Sequence, residues 1–376
     1  MFKKLVIKNY ASFKDETHID FTDETGKVSN LLLIKGANGS GKTNVIKAIN
    51  FLSDFVSNGH EKNVSSEIDI ESFFDNEEPS EFKVTFLANE FEVDYFLKVN
   101  KTQVLEEKFS IEGELLAHRV EGGFEYLIDD LSEIGAFKLR KNASFVSIVE
   151  QYNLEDDTEA LLFVLDYFFT CMMTNVSSFD GYKNQIFELS NVSEEYYRNE
   201  DDVRDFLVKG CQLVDTSIKD VRILKEKNSS GEEVYFPVFE HILDGNSHFI
   251  PYYKASSGIQ KTFEIWKVYH LALKTRGVIV LDEIDIHLHP HILPNIIEIF
   301  GSSERSQFIF TSHNDDIMDF IKLESILLVD KKNCASSCHK ASDVSLSSDE
   351  RSRKTSTLYK EGCLGGVPEN SKYTRG

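Results

Sequence analysis

Leu31-Leu32-Leu33-Ile34 runs through Lys35 into Gly36-Ala37-Asn38-Gly39-Ser40-Gly41-Lys42-Thr43. The first four residues form the continuous apolar run of a strand buried on both faces. The last eight match G-x-x-x-x-G-K-[ST] in full, the phosphate-binding loop that follows a strand and opens a helix. Glycines there let the backbone wrap a phosphate with its N–H groups inward, and the helix N-terminus adds a favourable field. Lys42 is expected to reach the β- and γ-phosphates of a nucleotide, and the Thr43 hydroxyl to bind Mg²⁺. Gly36, Asn38, Gly39, Ser40, Gly41 and Asn44 complete the expected nucleotide-binding set. The competing reading is an ordinary glycine-rich turn, and the strand and helix on either side argue against it.

Outward from this loop, Val45, Ile46, Ile49, Leu52 and Val56 recur at helical spacing, which predicts a helix over 43–56. Val278-Ile279-Val280-Leu281 is a second apolar strand, ending in Asp282-Glu283. Beside a phosphate loop, Asp282 is the residue to hold the magnesium shell opposite Thr43, and Glu283 the general base facing the attacking water. Ser256-Ser257-Gly258 precedes a predicted helix over 259–275, and Ser257 lies 25 residues before Asp282. Alone, that serine pair is a good helix cap. Phe308-Ile309-Phe310-Thr311-Ser312-His313-Asn314 is a third strand, with a histidine just past its end.

These motifs, in this order, resemble the ATPase heads of the SMC/RecF/OLD branch of ABC-type proteins. The resemblance implies ATP and Mg²⁺ as cofactors and a catalytic site completed by a second protomer, hence a head-to-head dimer at least. Ser257 and Gly258 match the signature residues that contact the γ-phosphate held by the other protomer, and His313 matches the switch histidine. Asp285-Ile286-His287-Leu288-His289-Pro290 resembles the segment that ends in Leu-His-Pro in the same group; the alternation of His287, His289 and His291 also allows a metal cluster. Asn9-Tyr10-Ala11-Ser12-Phe13 resembles the opening of RecF-like heads. Pro79 to Phe82, Tyr359 to Gly362, Gly365, Gly366 and Pro368 resemble small defence-associated members, the RloA, AbiLi and AriA groups and more distantly PtuA. Such proteins imply a separate effector, such as a Toprim-type nuclease, and a phage-derived trigger. A RecF-like DNA-maintenance ATPase and a nucleotide-dependent scaffold with negligible turnover are the alternatives. Two departures stand out: Ala11 replaces the usual arginine, and no glutamine falls clearly at the Q-loop position, Gln103 being the nearest candidate.

The remainder of the chain sets bounds. It has 376 residues, 41% of them apolar, and a formal charge of −22, which opposes broad wrapping of nucleic acid. Residues 61–130 carry 19 acids against 6 bases, whereas 331–376 carry 5 against 9, so a local basic patch remains open for DNA. The charged N-terminus does not read as a signal peptide, and no apolar run reaches the ~18 residues of a membrane span. Five sparsely spaced cysteines suit reduced thiols and a cytoplasmic address. Cys334, Cys338, His339 and Cys363 have spacing too loose for a zinc site. Strands are expected near 82–87, 91–97, 104–128, 221–224 and 234–239, and helices over 159–174, 194–214, 290–300 and 314–321. The fold expected is α/β. A P-loop head occupies 1–330, with 1–60 and 250–330 as a nucleotide-binding core of mostly parallel sheet, an antiparallel β subdomain at 61–130 and an inserted helical lobe at 145–220. Residues 331–376 form a tail whose Ser- and Lys-rich part, 333–357, reads as a mobile loop. No heptad run long enough for a coiled-coil arm occurs, and no nuclease module is expected on this chain.

Overall fold

A computed structural model describes residues 1–367, apart from position 89 and the stretches 150–160, 165–167, 170, 178–180, 183–200, 228–230, 232, 286–291 and 305. The nucleus is a six-stranded sheet. The strand β3 (Leu31–Gly36) pairs in parallel with β16 (Gln307–Thr311) on one side and β17 (Ile326–Lys332) on the other; β16 pairs with β15 (Val278–Leu281), and β15 with β9 (Met172–Thr174). An antiparallel edge strand, β18 (Ala335–Lys340), closes the far side. The fold is of mixed α/β class, with a mostly parallel sheet whose central strand leads into the phosphate loop.

Strand alternation splits the apolar run of β3 between two cores. Leu32 and Ile34 join one cluster, with the helix α1 (Lys42–Asn58) and a seven-stranded antiparallel sheet. That sheet runs in the order β2 (Thr17–Asp20), β1 (Phe2–Lys8), β4 (Ser80–Ala88), β5 (Phe91–Val99), β6 (Val104–Ile111), β7 (Glu114–Val120) and β8 (Gly123–Leu127). It takes in β1 and β2 from outside the stretch 61–130. Because α1 lies between two sheets, it buries Ala48, Phe51 and Phe55 as well as the five residues of the expected stripe. Phe51 packs against Tyr10 and Phe82, rings of the antiparallel side.

Leu31 and Leu33 face the opposite way, into a core with α4 (Ser257–Thr275) and α5 (Leu293–Gly301). The helices α2 (Phe145–Val149) and α3 (Asp201–Gln212) come earlier in the chain, and α3 lies against α4. The short strand β10 (Val176–Ser177) pairs antiparallel with β11 (Gly181–Tyr182), and β12 (Ile218–Lys227), β13 (Glu233–Leu243) and β14 (Asn246–Pro251) form a separate antiparallel sheet. At Gly210 a Cβ would overlap the Trp266 indole. Gly210→Ala is therefore expected to destabilise the protein, because overpacking costs about 1–3 kcal/mol and the helix-propensity gain of about 1 kcal/mol offsets only part of it. A lowered denaturant midpoint at unchanged slope is the check; an unchanged midpoint would show that the indole moves aside freely.

Three expectations need correction. Met172–Thr174 is a strand, not the end of a helix over 159–174, since Val278, Ile279 and Val280 offer a free parallel edge that a local 3.6-residue pattern cannot register. The segment after His313 is a 3₁₀ turn, Asp315–Phe320, rather than an α-helix. Residues 333–357 are ordered: they form β18, a 3₁₀ turn and the helix α6 (Ser348–Arg351), and α7 (Thr355–Lys360) begins within them. Small hydroxyl residues there permit close approach rather than mobility. Ser336 is buried and hydrogen-bonds the Ser40 carbonyl, while Lys340 reaches the Thr22 carbonyl. Sequence reasoning missed strand β14, although Asp244-Gly245, both at positive φ between the paired Leu243 and Asn246, is the turn signal that could have found it.

Candidate functional site

The phosphate loop leaves β3 at Gly36, where a Cβ would collide with the Val329 carbonyl and the Ser40 hydroxyl. Gly41 caps α1 at φ 113°, a left-handed conformation. A Cβ there would lie 2.5 Å from Ser336 Oγ and 2.7 Å from Ser12 Oγ, so the position is closed to other residues on two counts. Asn44 donates to Ser12 Oγ at 2.8 Å, Ser12 Oγ lies 2.7 Å from Ser336 Oγ, and Ser336 bonds the Ser40 carbonyl. This chain of hydrogen bonds braces the loop and ties the Asn44 side chain to Ser12. The backbone N–H groups of Gly39, Gly41, Lys42 and Thr43 have no acceptor among the described residues. The buried Ser40 hydroxyl also lacks a partner. Lys42 Nζ folds back on the carbonyls of Gly36 (2.9 Å) and Ala37 (3.0 Å). Its pKa is lowered, first by burial and then by the nearby Lys35 charge, with Asp282 and Glu283 acting in opposition. Unfilled donors around a lysine held among carbonyls suit a polyphosphate.

Strand β15 delivers Asp282 to the same place. Thr43 donates to Asp282 Oδ2 at 2.8 Å, and Thr311 donates to Oδ1. Asn175 grips the Asp282 backbone at both ends, donating to its carbonyl at 2.9 Å and accepting from its N–H at 2.8 Å. A hydroxyl and a carboxylate converging in this way form a hard-oxygen donor pair that suits Mg²⁺. Glu283 adopts φ 52°, costly for a side chain with a Cβ. It is held there because its N–H donates to Thr311 Oγ1 at 2.7 Å and the next residue, Ile284, donates to the Thr311 carbonyl at 3.1 Å. The turn brings Glu283 Oε1 within 3.0 Å of His313 Nε2, and the Asp285 carboxylate accepts from the His313 N–H at 3.1 Å. Both side chains remain partly exposed, so a water molecule can reach the carboxylate.

The structure thus brings Lys42, Thr43, Asp282, Glu283 and His313 together. Among the described residues no hydrogen bond joins Ser257 to this group: Ser256 caps α4 by accepting from Ile259 N–H, and Ser257 lies exposed beside it in the first turn, next to Gly258. Gln103 sits at the β5–β6 turn, its amide donating to Glu121. His287, Pro290, His289, His291 and Pro368 lie outside the described residues. Sequence reasoning missed the roles of Asn175, Ser12, Ser336, Thr311 and Asp285. Thr311 and Asp285 at least lie inside the motif strings; Asn175 sits in unremarkable sequence.

A family model described as "AAA domain, putative AbiEii toxin, Type IV TA system" matches residues 31–319. None of the curated proteins matches the chain. Among solved structures, an Smc head bound to the C-terminal winged-helix domain of ScpA is 17% identical, with a TM-score of 0.57, covering 93% of this chain and 99% of that one. An Smc head with an extended coiled coil, bound to the C-terminal domain of ScpA from Pyrococcus furiosus, is 13% identical with a TM-score of 0.55, covering 96% and 98%. At such identities the likeness is one of fold. The matched residues make up most of the chain and contain the phosphate loop, so the chain belongs to this AAA-domain family.

Proposed function

We propose that the protein hydrolyses Mg²⁺-ATP in a site completed by a second copy, and that this cycle controls a separate effector, a nuclease of the Toprim kind, in antiviral defence with a phage-derived trigger. The convergence of Thr43 on Asp282 and of Glu283 on His313 at one end of the phosphate loop carries the catalytic part of this reading. Lys42 and the loop N–H groups hold the β- and γ-phosphates. Thr43 and Asp282 would hold Mg²⁺, which when bound supplies charge neutralisation to the phosphates. Glu283 takes a proton from water as its oxygen bonds to the γ-phosphorus; the bond from that phosphorus to the β–γ bridging oxygen breaks, and ADP departs with the electron pair. His313 steadies both Glu283 and the γ-phosphate. Ser257, exposed in the first turn of α4, and the half-buried Gly258 beside it are presented to the partner's nucleotide. The effector reading draws on the resemblance to defence-associated heads, and on the fact that similar Smc heads have been solved bound to a domain of another protein.

Lys42→Ala tests nucleotide binding. It removes a charged donor worth about 1.5–3 kcal/mol, so ATP affinity should fall about 10- to 150-fold by calorimetric titration. Wild-type affinity in that variant would remove the phosphate-loop assignment.

A further inference from the structure

Leu31, Leu33 and Lys35 share one face of β3, and the first two belong to the apolar core around α4 and α5. Lys35 continues that face, and its side chain is only 3% exposed. A buried ammonium persists where its donors are met. Here Nζ donates to the Ser312 carbonyl at 2.9 Å and reaches Asp315 Oδ1 at 2.7 Å, and it sits 5.4 Å from the centre of the Tyr359 ring. Ser312 and Asp315 bracket His313. The residue just before Gly36 therefore grips the histidine loop on both sides.

Helix α7 supports the same loop from outside. Asp319 accepts from the Ser356 N–H and hydroxyl, both at 2.9 Å, and Lys360 donates to Asp316 at 2.8 Å. Tyr359 in turn donates to the Gly366 carbonyl at 3.0 Å, and the Gly366 N–H donates to Asp330 on β17 at 2.8 Å.

We propose that Lys35 is a positioning residue for hydrolysis: it sets the His313 loop against the phosphate loop, with α7 as the outer support. This deepens the ATPase reading and rests on it. Lys35 bonds Ser312 and Asp315, and it acts through them by keeping His313 at hydrogen-bond distance from Glu283. Burial first and then the Lys35 charge lower the Lys42 pKa, so removing that charge favours the ammonium form that meets phosphate; losing Lys35 loosens the histidine while nucleotide binding persists.

The test is Lys35→Met, with Lys35→Arg as the conservative variant and Asp315→Asn as a milder one on a partly exposed carboxylate that leaves Lys35 in place. Lys35→Met should lower kcat for ATP about 10- to 100-fold, as small misplacements of catalytic groups do, with far less change in KM. Lys35→Arg should recover part of the loss, because a guanidinium can still meet both acceptors. Asp315→Asn should shift kcat in the same direction as Lys35→Met. In a His313→Ala background, Lys35→Met should remove little further rate, since the two act through one group. Hydrogen exchange of the nucleotide-free protein should quicken over 312–320 and stay unchanged over α1. Wild-type kcat in Lys35→Met, an additive loss with His313→Ala, or exchange that quickens evenly along the chain would each overturn the proposal. A wild type without turnover would instead overturn the ATPase reading, and the exchange pattern would still decide whether Lys35 anchors the loop.

Discussion

Glu283→Gln is expected to slow ATP turnover about 10²- to 10⁴-fold, the span assigned to a lost general base, with ATP binding preserved. The amide keeps the size and planarity of the carboxylate, and its oxygen can still meet His313 Nε2, now 3.0 Å from Glu283 Oε1. What it loses is the ability to take a proton from water. The backbone turn at φ 52° is fixed by Thr311 rather than by the Glu283 side chain, so the substitution should leave the fold intact. ATP then stays bound without reacting, and associated heads should accumulate, visible as a rise in mass on adding ATP. Wild-type turnover in this variant would show that another group serves as base.

Ser257→Arg should abolish turnover while each chain still binds ATP with near-normal affinity. An arginine at the exposed first turn of α4 disturbs neither the Ser256 cap nor the protein's own phosphate loop. It places a long cation where a partner's γ-phosphate is proposed to dock. Mixed one-to-one with Lys42→Ala, it should regain about a quarter of wild-type activity, since half of randomly paired dimers are mixed and each holds one intact composite site. Turnover by Ser257→Arg alone would count directly against a shared site. A dead mixture, with mixed dimers demonstrated, would mean that the two sites fire only together.

The catalytic cluster was legible because its residues sit just past strand ends or at the start of the helix that follows, where local pattern and chemistry coincide. Asp282, Glu283 and His313 come within two residues of the ends of β15 and β16, Lys42 and Thr43 open α1 beyond the loop that leaves β3, and adjacent parallel strands bring such ends to one edge of the sheet. The brace on the loop was illegible because it depends on pairings that only the folded chain creates. Ser12 meets Ser336, and Asn175 reaches Asp282, across separations that no periodicity encodes. The serines of 335–340 looked like a solvated loop because polarity in sequence cannot distinguish a hydroxyl that faces water from one that bonds a buried carbonyl. Lys35 carried a signal that went unused: a charge standing where the alternation of β3 calls for an apolar side chain.

The central place of β3 has a further consequence during synthesis on the ribosome. Leu31 registers with Phe308 and Leu33 with Ile326, so both neighbours of this strand leave the exit tunnel long after it does. Until then the nascent chain carries Leu31 to Ile34 unpaired, an apolar segment open to wrong partners. The phosphate loop, braced by Ser336, cannot take its final form before β17 and β18 arrive. Nucleotide affinity should therefore be absent from every ribosome-arrested intermediate that stops short of those strands, and a protein halted partway through translation never competes for ATP.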